Sequence, residues 1–171
     1  MNAMAKPPVR AEDFVAAMGL AATGVSVVTT DGPHGRFGLT VSAVSSVSAE
    51  PPLVLACINR KSPAVAAVEG NGVFAVNLLS AAHRAYAETF SGRPREGNPF
   101  DFANHDWRDG ELGLPLVAEA TAIFECDLHD RLDAGTHRIF IGRVVAAHRG
   151  AADPLVYCNR AFRRIVTHEG L

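Results

Sequence analysis

The segment GLTVSAVSSVSAEPPLVLACINRKS, residues 38–62, decides the fold class. Before Pro51, apolar side chains alternate with small or hydroxyl-bearing ones, a two-residue period that predicts one long strand over residues 36–49. Pro51 and Pro52 cannot donate backbone hydrogen bonds, so strand pairing is expected to be interrupted there. The run LVLACIN at 53–59 is apolar enough for a central buried strand.

Segments on both sides extend this pattern. VSVVTT at 25–30 precedes the turn residues DGPHG, so it is expected to pair with residues 36–49 as a hairpin. Further strands are predicted at 73–80, 120–130, 137–148 and 155–157, and helices at 11–22, 63–69 and 81–90, with mostly loop over 91–115. About seven strands without regular strand-helix-strand alternation predict a mainly β fold, an antiparallel barrel with peripheral helices.

Composition restricts the class of protein. The chain has 171 residues, 48% hydrophobic and 20% charged, which predicts one packed domain over 11–171. Residues 1–10, MNAMAKPPVR, lack the apolar core of a signal peptide and are interpreted as a loose leader. Its formal charge of −2 comes without the basic block that a nucleic-acid partner needs. No signal-peptide core and no apolar run of about 18 residues are seen, so a cytoplasmic protein without a membrane partner is expected. The 3 cysteines suggest no disulfide framework.

One face of the predicted strand over residues 37–48 is a candidate binding surface. Small side chains let a planar ring approach the backbone, and hydroxyls can bond to carbonyl and phosphate oxygens. The solvated face of an antiparallel strand shows the same alternation, so both interpretations stand. The residues on this face are Gly38, Thr40, Ser42, Ser46 and Ser48.

Two other features could carry chemistry. Residues 59–63, NRKSP, join a buried strand to a predicted helix, and a helix N-terminus beside Arg60 and Lys61 suits a phosphate, although a capped turn with solvated cations explains the same residues. His137 begins a strand and could transfer a proton. Cys57 is interpreted as a small buried hydrophobe. No HExxH, CxxC, GxSxG or GxGxxG motif occurs, so no metal site, nucleophilic serine or Rossmann domain is expected.

Six blocks of the sequence, in order, resemble the flavin reductase-like family with the FMN-binding split-barrel fold. They are TGVSVVTT at 23–30, residues 38–62 quoted above, GVFAVNLLS at 72–80, FSG at 90–92, HRIFIGRV at 137–144 and PLVY at 154–157. Members of this family include the reductase components of two-component aromatic hydroxylases. The blocks extend over nearly the whole chain, and the barrel predicted from periodicity agrees with the resemblance.

The resemblance implies a role for particular residues. It implies that the isoalloxazine ring is lined by Thr40, Val41, Ser42 and Ala43. It implies that ring, ribityl chain and phosphate are held by Ser46, Val47, Ser48, Cys57, Ile58, Asn59 and Ser62. The flavin site would be closed by Phe90, Ser91 and Gly92. The nicotinamide would lie beside the catalytic residue His137, in a pocket bordered by Tyr157. The chain departs from the family in three places. It has Thr136 where the family often has Asp, and Phe162 where the family often has an aromatic residue with a hydroxyl group. Its loop over 93–105 is also longer.

By this resemblance the chain is expected to be an NAD(P)H-dependent flavin reductase that reduces FMN or FAD by hydride transfer. NADH is expected rather than NADPH, because no pair of arginines can be assigned to a 2′-phosphate. A separate monooxygenase would receive the diffusible reduced flavin, and a homodimer would complete the cleft. The alternatives are a split-barrel oxidase that retains its flavin and a non-catalytic module that binds flavin or haem.

Overall fold

The computed structural model describes residues 6–103 and 105–166, and strands dominate it. The strands are β1 (Thr23–Gly24), β2 (Ser26–Thr30), β3 (Phe37–Val41), β4 (Val44–Ala49), β5 (Pro52–Asn59), β6 (Val73–Leu78), β7 (Trp107–Asp109), β8 (Pro115–Val117), β9 (Ala122–Ala134), β10 (His137–Arg149), β11 (Val156–Cys158) and β12 (Ala161–Arg163). The helices are α1 (Ala11–Met18), α2 (Ala64–Asn71) and α3 (Arg84–Phe90), the last preceded by a 3-10 turn (Ala81–His83). No described helix is long and apolar enough to cross a membrane.

The main sheet has seven antiparallel strands in the order β3-β2-β6-β9-β10-β5-β4. Its two edge strands, β3 and β4, follow each other in the chain. The carbonyl of Ala43, between them, accepts a hydrogen bond from the Cys57 amide of β5 at 3.0 Å. The chain thus passes directly from one edge of the sheet to the other. This connection brings the two edges together and closes the sheet into a split barrel. The predicted mainly β fold is confirmed.

The prediction of one continuous strand over residues 36–49 is wrong. β3 pairs with β2, whereas β4 pairs with β5, and these pairs lie at opposite edges of the sheet. The chain must therefore bend at Ser42 and Ala43, and the hydroxyl groups of Thr40 and Ser46 do not form one row. β4 is further interrupted by a register shift between Ser46 and Ser48.

Two apolar clusters pack on opposite faces of the sheet. The barrel interior holds side chains from β2, β3, β5, β6, β9 and β10, including Val28, Val41, Ile58 and Phe74, and α2 packs against it. The second cluster lies outside β2 and β6, under α3 and the β7–β8 hairpin, and includes Val27 and Phe90. Neighbouring residues of β2, Val27 and Val28, therefore belong to different clusters, as the strand period requires.

Two glycines are needed where helices end or pack against the sheet. Gly72 has φ 69° and ends α2, with its amide bonded to the Val68 carbonyl at 3.0 Å. Gly38 on β3 lies against Phe90 of α3, where an added Cβ would lie 2.6 Å from the ring. The absence of a side chain at residue 38 therefore lets α3 approach β3.

Other boundaries differ from the sequence predictions. α1 ends at Met18 rather than near Gly24, and none of its residues is buried. The segment 91–115, expected to be mostly loop, contains β7 and the first residue of β8. The predicted leader is described over residues 6–10, without regular structure, and residues 1–5 lie outside the described residues. The C-terminal end of the predicted domain is described to Val166.

Candidate functional site

A cavity of about 650 Å³ lies between β3, α3 and the β11–β12 hairpin. Four of the predicted site residues line it, namely Thr40, Ser42, Ser91 and Tyr157. Residues from distant parts of the sequence complete the lining: Val25, Arg84, Ala87, Glu88, Arg93, Arg160, Ala161 and Phe162. The volume is within the range of small-molecule and cofactor sites.

The face of β3 that carries Gly38 and Thr40 packs on α3. Thr40 donates its hydroxyl hydrogen bond to the Ala87 carbonyl at 2.9 Å. The interpretation of this face as solvated is therefore wrong for β3, because a helix covers it. Beyond Thr40 the chain emerges, and Ser42 and Ala43 are exposed. Their small side chains leave room for a planar ring to contact the backbone.

Two predicted site residues can face a ligand only through their backbone. The side chains of Val41 and Ile58 are directed into the barrel interior, where 5% and 1% of their surface is exposed. Cys57, between buried neighbours on β5, is half-buried on the outer face, and burial raises the pKa of its thiol. A raised pKa keeps the thiol protonated, so Cys57 behaves as the small hydrophobe expected from the sequence, although it is half-buried rather than buried.

The turn after β5 contains Asn59 and Ser62. Asn59 accepts a hydrogen bond from the Lys61 amide at 3.0 Å, and Ser62 accepts one from the Ala64 amide at 3.3 Å at the start of α2. Ser62 also lines a smaller cavity of about 210 Å³, which it shares with Gly38 and other residues. Both interpretations of this turn, cap and phosphate site, are compatible with that position, because the helix N-terminus borders a cavity.

His137 lies opposite Asn59 in the ladder between β10 and β5. Residues opposite each other in an antiparallel pair share a face, so the predicted nicotinamide residue and the predicted flavin residue are neighbours. The His137 Nδ1 atom lies 2.9 Å from the Thr136 hydroxyl, which occupies the position where the family often has Asp. The Thr136 carbonyl accepts a hydrogen bond from the Arg60 amide at 3.0 Å.

Ion pairs hold the end of the β9–β10 hairpin beside His137. Arg138 contacts both Asp133, at 2.6 Å, and Glu69 of α2, at 2.7 Å. The hydrogen bond from Arg138 lowers the pKa of the Asp133 carboxyl. Arg131 also contacts Glu69, and Arg60 contacts Asp133. The strand that begins at His137 is therefore attached to α2 and to the turn after β5.

The remaining predicted residues contribute differently. On β4, Ser46 and Val47 are exposed, and Ser48 accepts a hydrogen bond from the Glu50 amide at 3.1 Å. These three residues lie on the other edge of the sheet from Thr40, beside β5. They do not line the cavity described above.

The FSG segment is divided between core and cavity. The Phe90 side chain is fully buried against Phe102 and Trp107, so it cannot line the cavity. Ser91, which follows it, does line the cavity and donates its hydroxyl to the Glu88 carbonyl at 2.9 Å. Gly92 has φ 78° and turns the chain away from α3. Phe90 thus anchors the segment, while Ser91 presents a polar group.

The sequence analysis did not identify the arginines of this cavity. Arg84 begins α3, Arg93 follows FSG directly, and Arg160 is the third residue after the PLVY block. For Arg93 and Arg160, a position close to a recognised block was the only available signal. In the described part of the chain no group of three or more His, Cys, Asp or Glu side chains could hold a metal ion.

Comparison with known proteins identifies the family. The family model described as flavin reductase like domain matches residues 18–166. The protein FMN reductase (NADH) RutF 2 of Methylorubrum extorquens strain PA1 is 42% identical over 156 residues, covering 91% of this chain and 90% of the relative. The chain therefore belongs to the flavin reductase-like family and is a flavin oxidoreductase, as predicted.

Solved structures agree in fold over nearly the whole chain. The Streptomyces globisporus C-1027 NADH:FAD oxidoreductase SgcE6, in complex with NAD and FAD fragments, has a TM-score of 0.84 at 32% identity and covers 96% of this chain and 100% of its own. BorF, the flavin reductase component of a bacterial two-component tryptophan halogenase, has a TM-score of 0.81 at 34% identity, covering 93% and 100%.

Proposed function

We propose that this chain oxidises NADH, reduces FMN as a diffusible substrate and supplies the reduced flavin to a separate monooxygenase. The support for NADH and FMN is the name of the relative from Methylorubrum extorquens, an FMN reductase that uses NADH. The support for a separate partner enzyme is BorF, the flavin reductase component of a two-component tryptophan halogenase. We extend the proposal to FAD on the likeness to SgcE6, a NADH:FAD oxidoreductase.

The observation that carries this proposal is the cavity at the end of β3. One side presents Thr40 and Ser42, and the other presents Tyr157 and Phe162, whose ring centroids are 5.4 Å apart. Aromatic faces and small polar side chains around one space of about 650 Å³ suit stacked planar rings with polar edges.

The residues of the chain need only bind and orient, since hydride transfer between nicotinamide and flavin rings is chemistry that the two nucleotides supply. Ser42 and Ala43 leave the backbone accessible to a ring. Asn59 and Ser62 would receive the flavin phosphate at the start of α2. His137, opposite Asn59, would contact the nicotinamide and could hold a proton beside it. Thr136, hydrogen-bonded to Nδ1, restricts the orientation of this imidazole.

The exposure of the candidate site to solvent supports the proposal that reduced flavin is released. Ser42, which lines the cavity, and Ala43 beside it are exposed, so a ring bound against them would keep contact with solvent. A resident cofactor is normally enclosed by its protein, because enclosure removes apolar surface from water. An open site is what a reductase needs when its product must reach another enzyme.

We also propose a homodimer formed through the outer face of β5, β9 and β10. This face carries Leu55, Ile139 and Ile141, all half-buried, and Leu132, which is 47% exposed. The packing of α2 and α3 is mainly against β2, β3 and β6, so these helices leave the apolar face open. Cys57, Asn59 and His137 lie on the same face, so a second subunit there would complete the candidate site.

The direct test is NADH oxidation by desalted protein with and without added flavin. We expect little NADH consumption without flavin and a rate that rises to saturation with FMN. A yellow protein that keeps stoichiometric flavin through dialysis and does not respond to added flavin would instead indicate an oxidase or a binding module.

A further inference from the structure

Three arginines at the cavity of Thr40 and Tyr157 have no role in the function proposed above. They are Arg84, Arg93 and Arg160. We propose that they form a subsite for the diphosphate of a dinucleotide, either NADH or FAD. The subsite rests on the proposed function in that it places a dinucleotide in the same cavity.

The fold brings these arginines together from separate elements. Arg84 begins α3, Arg93 follows its C-terminal end, and Arg160 lies in the turn between β11 and β12. In that turn Asn159 and Arg160 have φ of 49° and 57°, a left-handed conformation that is uncommon for residues other than glycine. A sparsely populated conformation persists where the surrounding structure maintains it and often marks a functional site. Here it brings Arg160 to the cavity.

The charge around the cavity is positive. Among the described lining residues Glu88 is the only carboxylate, and it already contacts Arg84 at 2.7 Å and Arg95 at 3.1 Å. Within the described residues, Arg93 and Arg160 form no ion pair. The Arg84 guanidinium is held over the Phe162 ring, 5.3 Å from its centroid. An anion in the cavity would therefore meet two arginines without competing carboxylates.

A diphosphate fits this arrangement better than the single phosphate of FMN. Guanidinium groups bind phosphate oxygens in a bidentate way, and two phosphates can engage more than one arginine. The FMN phosphate already has an expected place at Ser62, which borders the other cavity. NADH and FAD each carry a diphosphate joined to adenosine, so the arginines fit the part of a dinucleotide that FMN lacks.

ADP is the probe, because it carries the adenosine diphosphate part shared by NADH and FAD. Isothermal titration of the full chain should show ADP binding, weakened about tenfold or more by Arg93→Gln and by Arg160→Gln. Arg108→Gln, an exposed arginine on β7 that does not line the cavity, is the matched control and should keep the affinity. Absence of ADP binding in the unsubstituted protein, or equal affinity in all variants, would overturn the subsite.

Two further measurements identify the source of the diphosphate. If it is NADH, Arg93→Gln and Arg160→Gln raise the KM for NADH with FMN as acceptor and leave the FAD to FMN affinity ratio unchanged. If it is FAD, the same substitutions weaken FAD relative to FMN in fluorescence titrations. If neither quantity changes, the subsite is rejected. ADP binding that depends on both arginines, in a protein that oxidises no NADH with any flavin, would reject the reductase and keep the subsite.

Discussion

His137 and Asn59 are neighbours across β10 and β5, but their proposed ligands differ. His137 is proposed to contact the nicotinamide and Asn59 the flavin, so substitution of His137 alone tests its separate role. His137→Ala removes an exposed imidazole that no core residue needs. We expect kcat/KM for NADH to fall about tenfold or more, equivalent to about 1.4 kcal/mol of transition-state binding. Flavin affinity should hardly change. Steady-state kinetics at saturating flavin, with a separate flavin titration, measure both.

The matched control is His129→Ala, because His129 is an exposed histidine on β9. It should leave both quantities at the unsubstituted values. If His137→Ala lost flavin affinity and kept its NADH kinetics, the nicotinamide role proposed for His137 would be wrong.

Ser62 has a different expected effect. Ser62→Ala removes a hydroxyl that borders the smaller cavity at the start of α2. FMN binding should weaken by about 1–2 kcal/mol, as for loss of a hydrogen bond to a charged group. The KM for NADH at saturating FMN should stay near normal. Unchanged affinity for FMN, measured by fluorescence quenching, would return Ser62 to the simpler role of a helix cap.

For single residues, the recognised blocks of sequence supplied the candidates that the structure can place. Thr40, Ser42, Ser91 and Tyr157 were expected at the site and line one cavity. The sequence analysis did not identify Arg84, Arg93 and Arg160 as lining the same cavity, because only folding brings their three segments together. Val41 and Ile58 illustrate a further limit, since a block does not tell which of its members contact a ligand through the backbone alone.

Among the elements, the turn between β7 and β8 depends on a buried carboxylate of β9. Glu125 is fully buried and accepts hydrogen bonds from the amides of Glu111 and Leu112, at 3.2 and 3.0 Å. Its Oε1 lies 3.1 Å from His148 Nε2. Glu125→Gln should reduce the free energy of unfolding by about 2–3 kcal/mol, because two amides lose a charged acceptor. Urea unfolding measures this, and Glu50→Gln, at an exposed turn, is the control.

The direction of the Glu125 pKa shift determines how its contribution to stability depends on pH. Burial raises the pKa of Glu125, but hydrogen bonds from Leu112, His148 and Glu111 outweigh burial and hold it below its ordinary value of 4.5. A group whose pKa is lower in the folded state stabilises the fold above its ordinary pKa, and this stabilisation is lost as the pH falls through the folded value. The difference between Glu125→Gln and the unsubstituted protein should therefore narrow below about pH 4.5. A difference that widens on acidification would contradict this assignment.

The elements were largely predictable because apolar periodicity reports local burial. It identified β5, β6, β9 and β10 within a few residues at each end. It failed at Ser42 and Ala43, where side chains continue to alternate although the two halves pair with different strands. It also failed at β7, because a three-residue strand is too short to show a period. Strand partners are a property of the whole barrel, so local patterns do not contain them.

For the whole molecule, the open face of β5, β9 and β10 predicts a homodimer. Leu132→Lys places a charge within that face and should shift the protein to monomer, because burying an unpaired ammonium at an interface is unfavourable. Light scattering at micromolar concentration measures the mass. Val9→Lys, at a residue 63% exposed in the leader, is the control and should remain dimeric. An unsubstituted protein that is monomeric under these conditions would contradict the proposed interface.

Whether flavin is a substrate or a resident cofactor can be decided only from the complete reaction. An enzyme that retains its flavin can hold only as many reduced flavins as it has sites. A reductase that exchanges flavin can reduce a large molar excess of it, since each reduced molecule leaves and another takes its place. The two cases differ in stoichiometry and not only in rate.

The most direct measurement is therefore anaerobic reduction of FMN, present in large molar excess over protein and with NADH in excess over FMN. Without oxygen the reduced flavin accumulates, so loss of its yellow absorbance counts the molecules reduced. We predict that nearly all of the FMN is bleached, at a rate proportional to protein concentration. Bleaching that stops at about one FMN per protein chain would contradict the proposal that this protein supplies diffusible reduced flavin.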